Sequence, residues 1–96
     1  MIALHTKLED KAAKSINRFK YLSPYDVEDI VLEHSRDEKF QEFLDECESD
    51  TYDNIYDREN DITIFTQIEK DSDIIKILDV KRGDKRFVID MFDMYI

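Results

Sequence analysis

The sequence predicts an α+β fold in which three to four N-terminal helices pack on a small three-stranded antiparallel sheet. Three observations carry that prediction. "TKLE" and "SPYD" each place a hydroxyl cap three residues ahead of a carboxylate, the mark of a helix start. Apolar residues recur at helical spacing through the first part of the chain and alternate from Ile62 onward. The only glycine, Gly83, sits in "KRGDK" between two apolar runs, where a hairpin turn needs a positive φ.

Thr6 and Glu9 form the first capping pattern, and Leu8, Ala12, Ile16 and Phe19 follow as one face, so residues 7–21 read as helix one. Ser23, Pro24 and Asp26 start helix two, whose apolar side is Val27, Ile30, Val31 and His34. Ser35 reads as the cap of a third helix with Phe40, Phe43, Leu44 and Cys47 inward. Tyr52, Ile55 and Tyr56 suit a short fourth helical segment. Residues 62–68 alternate as a strand, and "IIKILDV" and "RFVIDMFDMYI" are read as two more. Ile74, Ile75 and Leu78 also fit one helical face, so the middle strand has a helical alternative. The 96 residues bound a single domain, 1–96, with a helical half at about 7–58 and a sheet half at about 62–96.

Apolar residues make up 42% of the chain, and six Phe and five Tyr supply aromatic bulk, enough for a folded core beside 40% charge. "MIALHTKLED" is too short and too soon charged for the apolar segment of a signal peptide, and no run approaches a membrane span. One cysteine, Cys47, makes no internal disulfide. A soluble, cytoplasmic protein is expected.

The charge is zoned. Residues 1–25 carry net +3, residues 26–61 net −12 and residues 62–96 net −1, which together give the overall −10. Direct binding to nucleic acid is disfavoured by repulsion from phosphates, and a basic protein surface is the natural partner. On helix three, Glu38, Glu42, Asp45 and Glu46 fall opposite the apolar face at i, i+4, i+7, i+8. On helix two, Asp26, Asp29 and Glu33 lie together, and Asp53 and Asp57 are one turn apart if their segment is helical. Carboxylates four apart on a helix are about 6 Å apart along its axis, and if residues 26–61 were mostly helical they would present one carboxylate per ~3.6 Å, a linear density near that of phosphates advancing roughly 3.4 Å per nucleotide. Like charges at i, i+4 cost a few tenths of a kcal/mol, so the row has a cost that a purely structural helix avoids by mixing in lysines.

Other chemistry fits poorly. A calcium loop begun at Asp57 places Glu59 and Asp61 correctly but has Ile62 and Ile68 where glycine and glutamate are needed. His5 and His34 are isolated and no Cys or His pair has zinc spacing, so no metal or cofactor is expected. His34 and Cys47 read as boundary and core residues. Outward-facing acids offer little concavity, and the chain reads as a non-enzyme. Lys81, Arg82, Lys85 and Arg86 form a basic turn, a solvated tip or a partner for a neighbouring subunit's acids.

Short length, strong acidity, aromatic-rich helices and no catalytic motif resemble the DNA-mimic inhibitors encoded by bacteriophages. Among these the chain is similar to the small anti-restriction proteins of T-even phages, which shield phage DNA from host modification-dependent restriction endonucleases. The resemblance spans the composition and charge layout of the whole chain and involves no diagnostic motif. It implies competition, with the acidic face seated in the DNA-binding cleft of a basic host protein such as a restriction endonuclease. The residues to which it extends are Asp26, Asp29, Glu33, Glu38, Glu42, Asp45, Glu46, Asp50, Asp53 and Asp57, as stand-ins for phosphates. The basic first zone and the balanced sheet half depart from an all-over acidic mimic. Tyr52 and Tyr56 read either as anchors of that contact or as core. The apolar "MFDMYI" suits a homodimer that lengthens the acidic face. A different class also fits: an antitoxin-like or adaptor module that binds through Leu32, Phe92, Met94 and Ile96.

Overall fold

The computed structural model describes residues 3–87. In chain order the elements are β1 (His5–Leu8), α1 (Asp10–Ile16), α2 (Pro24–Ser35), α3 (Glu38–Glu46), β2 (Thr51–Asp57), β3 (Ile62–Glu69) and β4 (Ile74–Arg82). The strands form one sheet in the order β1-β4-β3-β2, with β1 parallel to β4 and the other pairs antiparallel. The α+β layering is therefore as expected, but a three-stranded antiparallel sheet is not what forms. The described sheet is four-stranded and mixed, with three helices.

Two strands account for the difference. Thr6 does not cap a helix, because residues 5–8 pair with Ile74, Ile75, Lys76 and Ile77. His5 donates its N–H to the Asp73 carbonyl at 2.9 Å and Glu9 to that of Ile77 at 3.0 Å. A capping pattern is worth about 1 kcal/mol and yields to a ladder of this kind. Helix one is correspondingly short. It ends at Ile16, where Arg18 and Phe19 bond back to Ser15 and Ile16 in the tighter i→i+3 manner. Tyr52, Ile55 and Tyr56 lie in β2, not in a fourth helix. Thr, Tyr and Ile favour strands, Asp and Asn are poor helix formers, and seven residue pairs with β3 decide the matter.

Helix α2 forms as its sequence dictates. Ser23 Oγ accepts the Asp26 N–H at 3.2 Å, the Asp26 carboxylate accepts the Ser23 N–H at 3.0 Å, and Pro24 occupies the first turn. Replacing Ser23 with Ala is expected to cost about 1 kcal/mol, seen as a fall of roughly 4–8 °C in thermal midpoint. Ser35 does not cap α3. It is the last residue of α2, its hydroxyl donates to the Leu32 carbonyl at 2.6 Å, and Asp37 caps α3 by accepting the Lys39 N–H at 3.0 Å.

The core lies between the helices and one sheet face. Ala12, Ile16, Val27, Val31, Phe40 and Leu44 descend onto Ile55, Ile62, Ile64, Ile68, Ile75, Ile77 and Val80. The segment 74–82 is a strand throughout, with an irregularity opposite Phe65 and Thr66 that leaves Leu78 without a partner in the register. Two four-residue turns close the antiparallel pairs, ending in Asp61 (φ 52°) and Asp73 (φ 53°), the left-handed conformation that Asp tolerates better than most residues.

Gly83 has the positive φ (84°) expected of it, and its N–H donates to the Asp61 carbonyl at 2.7 Å. The chain then returns over Thr63, whose hydroxyl donates to the Gly83 carbonyl at 2.6 Å and accepts the Lys85 N–H at 2.7 Å. The expected last strand begins in a turn at Arg86 and Phe87 and otherwise falls on 88–96, outside the described residues.

Candidate partner-binding face

The acids predicted to face outward on the helices do so. Glu38, Glu42, Asp45 and Glu46 of α3 are exposed, as are Asp26, Asp29 and Glu33 of α2. Among the described residues none of these seven forms an ion pair; Asp26 is engaged in the α2 cap. Helix α3 spans nine residues, and at 1.5 Å per residue its four carboxylates are separated by about 6, 4.5 and 1.5 Å along the axis, a mean of about 4 Å. Helix α3 has no basic residue in its last turn, where Asp45 and Glu46 meet the negative end of the helix dipole. That placement costs on the order of 0.3–1 kcal/mol per charge. The Lys70 ammonium offsets part of it by donating to the Leu44 carbonyl.

The other three predicted acids do not extend the row. Asp50 lies in the connection after α3, where its carboxylate accepts the Lys70 N–H at 3.0 Å. Asp53 and Asp57 are on β2, and four residues along a strand separate them by about 13 Å instead of one helical turn. Asp53 shares the sheet face of Ile55 and meets His34 of α2 at 3.1 Å, with the two side chains 26% and 34% exposed. The His34 ring also packs on Phe40, with centroids 4.8 Å apart, so this histidine is a boundary residue tying α2 to α3 and β2. Asp57 accepts from Asn60 at 2.6 Å in the following turn.

Tyr52 and Tyr56 alternate with Asp53 and Asp57 along β2, which puts them on the sheet face away from the helices. Tyr56 donates to the Asp61 carboxylate at 2.7 Å and lies under the Arg86 guanidinium, 5.5 Å from its ring centre. The hydrogen bond to Asp61, reinforced by partial burial, raises its phenol above the ordinary range. On the same face Lys76 meets Glu69 at 2.5 Å, a bond that raises the lysine. Arg86 grips Asp84 through two nitrogens, holding that carboxyl below the usual range and the guanidinium above its own.

Sequence reasoning placed Phe43 inside, yet it is 37% exposed, and Tyr25 of α2 is 77% exposed. Both therefore share helices with the acids and are available to a partner. Cys47 caps the end of α3, half-buried. Among the described residues no group of three or more His, Cys, Asp or Glu is arranged to hold a metal ion, and no helix is long and apolar enough to cross a membrane. Comparison of the chain with family models, curated proteins and solved structures finds no match.

Proposed function

We propose that this chain is a DNA-mimic inhibitor whose acidic helical face occupies the DNA-binding site of a host restriction endonuclease or another host DNA-binding defence protein. The observation that carries the reading is the row of Glu38, Glu42, Asp45 and Glu46: exposed, without ion pairs among the described residues, and with a mean axial charge density, one per about 4 Å, near that of successive phosphates. Asp26, Asp29 and Glu33 of α2 add to it. The concentration of acid runs against local stability at the end of α3, which argues for use over accident. The partner is basic, the setting is the bacterial cytoplasm, and neither nucleic acid nor a membrane is bound directly. A homodimer, if formed, lengthens the face, and light scattering measures its mass.

The test is capture of bacterial lysate on immobilised protein, washed at graded ionic strength and competed with duplex DNA. DNA-binding proteins that elute steeply with salt and with excess duplex are the expected result. Capture indifferent to both overturns the reading. An adaptor or antitoxin-like module is the second reading, favoured by the exposed Tyr25 and Phe43. Under it, Tyr25→Ala with Phe43→Ala abolishes capture, and reversing Glu42 and Glu46 does not.

A further inference from the structure

One cleft inverts the character of the molecule. It has a volume of about 500 Å³ and lies between α1 with the turn after it and the end of β4. Lys11, Lys14 and Arg18 line one wall at i, i+3, i+7, the spacing of a single helical face, and Arg82 lines the other. A carboxylate, Asp79, also borders it, 4% exposed and fully engaged. The Ser15 hydroxyl donates to Asp79 at 2.5 Å, the Val80 N–H at 2.9 Å, and the Lys11 ammonium lies 3.5 Å away. Lys11 therefore balances the buried acid, and three further cations remain.

Among the described residues, Lys14, Arg18 and Arg82 have no ion-pair partner, although the chain carries 24 acids. Arg82 is held in place by the Phe19 ring, its guanidinium carbon 5.6 Å from the ring centre. Lys81 contributes to the wall, but its ammonium lies over Phe65 on the opposite sheet face. Two arginines and a lysine around a concave space supply the positive charge and the N–H donors that clustered phosphate oxygens take up, and arginine engages such oxygens bidentately. The volume falls within the ordinary range for a small-molecule site, about 300–1,000 Å³.

We propose that this cleft binds a compact polyanion carrying a diphosphate or triphosphate group, through Lys14, Arg18 and Arg82. The site is independent of the acidic face on α2 and α3. Because the chain's net charge of −10 repels anions at long range, recognition is local; added salt weakens the attraction to the three cations and also screens that repulsion. The anion replaces solvent around the three cations, fixing the turn after α1 against β4.

The experiment is a titration of the full chain, uniformly labelled with nitrogen-15, with inorganic triphosphate and separately with ATP. Saturable amide shifts confined to residues 11–19 and 79–82 are expected. Tighter binding of ATP identifies a nucleotide as the occupant, and equal binding identifies the phosphates alone. Lys14→Glu with Arg18→Glu weakens binding on the order of tenfold or more, while Arg36→Glu with Lys39→Glu leaves it unchanged. Both sites are exposed, and thermal melts verify that the variants fold. Non-saturating shifts, shifts of equal size at Arg36, Lys39 and Arg58, or undiminished binding by the Lys14 and Arg18 variant overturn the proposal. So does salt-sensitive self-association that the same variant abolishes, since the cleft then serves a second copy.

Discussion

Converting Glu38, Glu42, Asp45 and Glu46 together to lysine is expected to weaken capture of basic DNA-binding proteins by about 30- to 1,000-fold. Each reversal removes one attraction and installs one repulsion. At a partly solvated interface that amounts to about 0.5–1 kcal/mol per residue, or roughly 2–4 kcal/mol over four. The four carboxylates are exposed and hold no ion pair among the described residues, so the main cost to the fold is at 38, where lysine replaces an acid in the first turn of α3, about 0.3–1 kcal/mol. Lysine at 45 and 46 even improves the last turn of α3, which has no basic residue to meet its dipole. The double variant Asp45→Lys with Glu46→Lys should therefore melt at the same temperature or a few degrees higher while binding less. Thermal melts and capture across a salt series measure both quantities on the same sample. A variant that loses stability and keeps its binding contradicts the proposal on both counts.

The helix acids were readable in advance because amphipathic spacing fixes their side once the apolar face is known. Helix α2 was readable for the same reason and because its cap, its Pro24 and its apolar period agree. Strand β3 was readable from its alternation. Residues 4–8 carried two incompatible signals: Leu4, Thr6 and Leu8 alternate as a strand does, while Thr6 and Glu9 are spaced as a helix cap. The arbiter is the distant β4, with which β1 pairs in parallel, and nothing local to residues 4–8 announces it. Tyr52, Ile55 and Tyr56 posed the converse problem, since their spacing fits a helix and their residue types fit a strand.

That error also misplaced part of the candidate site. With residues 51–57 in a strand, Asp53 turns to His34 and the tyrosines face the other way. The cationic cleft was half visible. Lys11, Lys14 and Arg18 share a helical face in the sequence, but only the fold brings Arg82 and Asp79 beside them.

The largest expected loss of stability comes from Ile64→Ala. Ile64 lies on β3, one of the two inner strands of the described sheet, and is fully buried. Ile55 pairs with it on one side and Val80 on the other, all three belonging to the core beneath the helices. Ladders on both flanks hold the backbone in place, so the void left by three carbons is not readily closed by collapse. Burial lost and cavity formed together amount to about 3–4 kcal/mol. That is a large fraction of the roughly 5–15 kcal/mol typical of a folded domain, and it lowers the thermal midpoint by some 15–25 °C. Ile64→Val removes one methylene and is expected to cost about 0.5–1.5 kcal/mol. Urea titration of the three proteins gives the differences directly, with an unchanged slope if the unfolded state is unaffected. A loss below about 1 kcal/mol for the alanine variant contradicts an inner, tightly packed β3 and with it the four-stranded sheet. Because the substitution leaves every helix carboxylate in place, the alanine variant should still capture the proposed partner at temperatures where it remains folded, which separates what holds the molecule together from the surface proposed to bind.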